Sequence, residues 1–135
     1  MSFQDLPNGW QSMSLSDPAL AVDVVDLFLG YFDRQQHSAL LILCDESGCA
    51  EQPVVVNGID WHMPAAERPK LFRFLEGMDV PKVVVAVSAP TPIPSPTTQR
   101  WRRTAETVLA EVAVELMGFY CADTVRVWDA APQAA

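Results

Sequence analysis

Histidine, cysteine and positive charge are all scarce in this chain, and each shortage narrows what it can do. Only 2 histidines and 3 cysteines occur among 135 residues. Cys44, Cys49 and Cys121 make no CxxC pair and no zinc-finger spacing, so neither a zinc module nor a dithiol motif is implied. The 9 Lys and Arg are outnumbered by 17 Asp and Glu, for a formal net charge of −8. That balance repels nucleic acid and anionic membrane surfaces, so neither is an expected partner unless basic residues cluster locally. No apolar run approaches the length of a membrane span, and the first residues lack a basic stretch followed by an apolar core. The expectation is therefore a cytoplasmic protein without a signal peptide, whose thiols stay reduced.

Half of the residues are hydrophobic, which suits one domain with a real core. An irregular segment over 1–15, with a turn at Pro7-Asn8-Gly9 and an anchor at Trp10, precedes a domain expected over 16–129. A disordered tail is expected over 130–135. Ser16-Asp17-Pro18 reads as a helix start with Ser16 as the cap, and apolar spacing continues to Phe32. Only a narrow polar strip at Asp23 and Asp26 interrupts this helix, which predicts burial on more than one face, within the domain or against another subunit. A hairpin follows over 38–44 and 49–56, with Pro53 marking an edge strand or a bulge. A helix over 64–78 is predicted, kinked or late at Pro69, and then a central strand over 82–87. A last helix over 98–117, ended by Gly118, leads to strands near 119–121 and 124–128. This order predicts an α/β fold: a three-layer sandwich with a mixed sheet and helices on both faces.

The segment Val80–Trp101, VPKVVVAVSAPTPIPSPTTQRW, joins the central strand to the last helix through a loop with four prolines. Strand-to-helix junctions of this kind are where α/β proteins bind ligands. The element order and the prolines together resemble the JAB/MPN fold (cytidine-deaminase-like), and within it the RadC-like branch. That family carries a metal motif of His-x-His, seven residues, Ser, two residues and Asp, with one Pro after the second His and another before the Ser. Placed here without a gap, the prolines fall on Pro90 and Pro96, the ligand positions on Val87, Ala89 and Arg100, and Thr97 replaces the Ser. The family's catalytic Glu corresponds to Gln36, and its hairpin-ending Gly-Thr to Gly58-Ile59. The resemblance covers roughly Ser16 to Val127 and implies a domain that has lost its metal and its base. Valine and alanine have no lone pair, a guanidinium repels a cation, and Gln cannot take a proton from metal-bound water. No catalytic residue, metal or cofactor is therefore implied.

Gln36, Ser88, Thr97 and Arg100 line the ligand cleft that the resemblance implies. Arg100 there has two readings. It is either part of a solvated face in which Arg102 and Arg103 pair with Glu106, or a built-in cation that receives a carboxylate or phosphate. Thr97 and Thr98 read as helix caps, and a Ser88-based hydrolase would need His37 or His62 beside it. Cys44 and Cys49 bracket a turn and are either small hydrophobic strand residues or a redox pair. Asp45 and Glu46, adjacent in that turn, point apart and make no carboxylate pair. The leading expectation is a non-catalytic module that binds a protein partner or a second copy of itself. The alternative is a small-ligand or anion-binding protein using the cleft near Ser88 and Arg100.

Overall fold

A computed structural model describes residues 3–130. Two 3-10 turns, Phe3–Asp5 and Trp10–Ser12, lead into helix α1 (Pro18–Phe28) and a short helix α2 (Tyr31–Gln35). Asp17, not Ser16, caps α1: its carboxylate accepts the Ala19 amide at 3.1 Å, while Ser16 bonds the Ser14 hydroxyl. The single helix expected to reach Phe32 breaks at Leu29–Gly30. There Arg34 Nε donates to the Leu29 carbonyl at 2.8 Å and the Gly30 amide donates to Asp33 at 3.2 Å. Side chains thus take backbone groups that a continuous helix would have used. Arg34 is buried, and its guanidinium also reaches the Asp26 carboxylate at 2.7 Å and the Asp123 carbonyl at 3.1 Å, tying this corner to the far end of the chain.

Strand β1 (Ala39–Cys44) pairs antiparallel with β2 (Ala50–Val56) as the predicted hairpin. Pro53 sits in β2, which is an edge strand of the five-stranded sheet, so its missing N–H breaks no central ladder. The helix expected over 64–78 shrinks to α3 (Lys70–Arg73), flanked by turns, because Pro69, inside the expected helix, cannot donate into a helical ladder and stands instead at the start of α3. Phe72 and Leu75 dock in the core all the same, whereas Phe74 stays exposed. Strand β3 (Lys82–Ser88) is central: antiparallel to β1 and parallel to β4 (Glu115–Ala122), which pairs antiparallel with β5 (Val127–Asp129). The sheet order is β2-β1-β3-β4-β5.

Between β3 and β4 runs α4 (Ser95–Glu111), which starts earlier and ends earlier than expected. Pro96 lies in its first turn, where a missing N–H costs nothing. The cap position is Pro94, so Thr97 and Thr98 do not cap; Thr98 instead donates its hydroxyl to the Pro94 carbonyl at 3.3 Å. The helix closes with Val114 N on the Leu109 carbonyl and Ala113 N on the Ala110 carbonyl, leaving Ala113 at φ 59°. This is a Schellman closure with alanine where glycine is usual. Gly118 is a strand residue instead, and a Cβ there would stand 2.8 Å from the Tyr120 ring.

Strand residues alternate between two cores, as a pleated sheet requires. Leu41, Leu43, Val83, Val85 and Phe119 face α3 and α4 on one side. Leu40, Ile42, Val84, Ala86 and Tyr120 face α1 on the other. The second covered face of α1 is supplied by residues 3–15 themselves. Leu15 is fully buried, Trp10 meets Phe28 edge-on with ring centroids 6.1 Å apart, and Phe3 N bonds Asp26. At the end of the described residues Ala130, expected to belong to the tail, is buried and bonded to Phe119 and Arg102. Residues 131–135 lie outside the described residues. No helix among the described residues is long and apolar enough to cross a membrane.

Candidate functional site

The start of β1 and the ends of β2, β3 and β4 meet at one edge of the sheet, where Ala39 pairs with both Val56 and Val87, and Val87 with Cys121. The loops leaving this edge are stitched together. Gly58 N donates to the Gln36 carbonyl and Ile59 N to the His37 carbonyl, each at 2.9 Å, so the segment after β2 lies along the residues before β1. Gly58 at φ 73° and His37 at φ 56° make the two bends. Asp60 then accepts the His62 amide at 2.9 Å, which fixes the turn that carries Trp61 inward.

Trp61 and Trp101 fill the space beneath the proline loop. The Trp61 indole donates to the Ser88 carbonyl at 3.0 Å, and the Trp101 indole donates to the Trp61 carbonyl at 2.9 Å. Their rings meet edge-to-face at 5.1 Å, and Phe72 adds a third ring against Trp101. Above this aromatic floor lies a recess of about 370 Å³ whose walls include His37, Asp60, His62, Thr91 and Ile93. Both histidines of the chain therefore reach one place, and the recess lies at the sheet edge expected from the strand-to-helix junction.

The four residues expected in a ligand cleft do not converge. Gln36 is exposed at the end of α2. Ser88 is wholly buried, its hydroxyl donating to the Ser38 carbonyl at 2.7 Å. Thr97 is buried on the inner side of α4, and Arg100 is exposed in a separate recess with Arg68 and Arg103. At the positions where the resemblance places metal ligands, Val87 and Ala89 are buried hydrocarbon and Arg100 points elsewhere. Those residues do not fit a metal, and no group of three or more His, Cys, Asp or Glu among the described residues is placed to hold one.

The two buried thiols, Cys44 and Cys121, are poorly suited to nucleophilic work. Burial pushes Cys44 up to about 12 and Cys121 up to about 11, the latter partly countered by the Thr98 hydroxyl. A thiol this far above neutrality carries almost no thiolate. Cys44 pairs with Ala50 across the hairpin while Cys49 lies outside the ladder, and all three cysteines are free.

His37 and His62 were legible as a pair only through the hairpin: in an antiparallel pair, the residues before the first strand lie beside those after the second. Comparison with protein-family models, curated proteins and solved structures finds no match for this chain.

Proposed function

We propose that this chain is a catalytically inactive, metal-free JAB/MPN-like domain of the RadC-like type, acting in the cytoplasm as a protein-interaction or dimerisation module. The mixed sheet with helices on both faces and the proline loop at the end of its central strand support the architecture. The hydrocarbon at Val87 and Ala89, backed by the tryptophan floor, supports the loss of metal chemistry.

The observation that carries the interaction reading is the pair Tyr31 and Phe32. They are 57% and 74% exposed, in edge-to-face contact at 5.9 Å, on a helix of five residues held rigidly by the buried Arg34. Leu27, just before the break, is exposed as well. Exposed aromatic anchors on a fixed element are what a protein interface uses at its centre. Light scattering on the purified chain at rising concentration tests this. A dimer or a concentration-dependent mass is expected, reverting to monomer in Phe32→Ser with an unchanged circular-dichroism spectrum and a melting temperature that no longer depends on concentration. A strict monomer whose melting temperature and solubility are the same in Phe32→Ser would count against it.

A second reading, small-ligand binding, is favoured by the recess bearing His37, Asp60, His62 and Thr91 over the Trp61 floor. Its volume lies within the range of small-molecule sites. A thermal-shift screen reads it directly, since a ligand at about 100 times its Kd stabilises by about 2.7 kcal/mol. Stabilisation should vanish in His62→Ala.

A further inference from the structure

Basic residues are few here, and four of the 9 are in ion pairs. Arg34 pairs with Asp26, Lys70 with Glu67, Arg73 with Glu111 and Arg102 with Glu106, while Arg126 lies over the Trp128 ring. Arg68, Arg100 and Arg103 have no carboxylate partner among the described residues, and all three line one recess of about 250 Å³ on the outer side of α4. Helical geometry explains the gathering. Arg100, Arg103, Thr104, Thr107 and Val108 follow the spacing of a single helix face, and the turn before α3 brings Arg68 and Pro69 against it. Arg68 is held in place, its Nε 3.4 Å from the Thr104 hydroxyl and one terminal nitrogen 3.4 Å from the Met63 carbonyl. Three like charges in one recess repel one another, in a chain with nearly twice as many acids as bases available to pair with them.

We infer that the Arg68–Arg100–Arg103 recess is an anion site for the phosphate group of a small molecule. Guanidinium forks match phosphate oxygens with paired, charge-assisted hydrogen bonds, and Thr107 lines the recess beside them, while the Thr104 hydroxyl donates to the Arg100 carbonyl at 3.0 Å and accepts from Arg68. The small volume suits one phosphate group, and the acidic balance of the chain opposes a long polyanion such as nucleic acid. Pro69 and Val108 supply an apolar wall for an organic group attached to that phosphate. The site is separate from the histidine recess, and neither needs the other.

Calorimetric titration with inorganic phosphate and with phenyl phosphate, at fixed ionic strength, tests the assignment. Saturable binding is expected in the wild type and in Arg126→Gln, which alters a cation outside the recess. In the exposed double variant Arg100→Gln/Arg103→Gln, affinity should fall by about tenfold or more. Tighter binding of phenyl phosphate would place its ring on the Pro69–Val108 wall, and equal affinities would assign binding to the phosphate alone; both uphold the site. No saturable binding of either probe, or equal binding by wild type and the double variant, overturns it.

Discussion

Asp23 is a buried carboxylate, 7% exposed, with its Oδ1 lacking any hydrogen-bond partner among the described residues. The spacing of α1 put it on a polar strip. The chain's own N-terminal segment packs beside that strip; Trp10 was legible as its anchor, but the face of α1 that it would cover was not. Desolvation, with Asp5 and then Asp26 nearby, raises its pKa above the ordinary 3.8. An acid whose pKa is raised on folding binds protons more tightly in the native state, so stability is lost as pH rises through the folded pKa and is recovered on acidification. Asp23→Asn should therefore be more stable than wild type at neutral pH, by about 1 kcal/mol. The difference should close as pH falls towards the ordinary carboxylate range. Urea unfolding at several pH values measures it, and a gap that is constant with pH would contradict the burial argument.

Elements were legible where apolar pattern and strand propensity agreed, and obscure where backbone closure decided. The hairpin and the central strand appear close to where β-branched runs placed them, because a buried strand tolerates little else. Helix ends went astray for local reasons. Gly118 looked like a helix stop, yet α4 ends earlier, at Glu111, with the closing turn at Ala113, since Leu116 and Phe119 are claimed by the sheet and the core. At this end of the sheet the strand-to-helix junction was legible, but the approach of His37 to His62 was harder to see, because it depends on stitching between two loops. Ala113 adopts φ 59° in the Schellman closure, a conformation costly for any residue with a Cβ. Ala113→Gly should stabilise the chain by about 0.5–1 kcal/mol, read as a higher urea midpoint with unchanged slope. No gain would mean that the helix end relaxes without strain.

For the whole molecule, two unlike faces follow from one sheet. The α1 side is closed by the N-terminal segment and carries the exposed Tyr31–Phe32 pair on α2. The α4 side holds the tryptophan cluster below the histidine recess, and the arginine recess on the outer side of α4. The function proposed above is one of binding rather than catalysis, and it is compatible with the burial that keeps the Cys44 and Cys121 thiols protonated and with the hydrocarbon at Val87 and Ala89. Elemental analysis of the purified protein, with melting temperature followed before and after a strong chelator, tests this most directly. A metal-free binding domain shows no stoichiometric zinc and melts at the same temperature in both conditions. Zinc at one equivalent per chain, removed by the chelator with a fall in melting temperature, would contradict it.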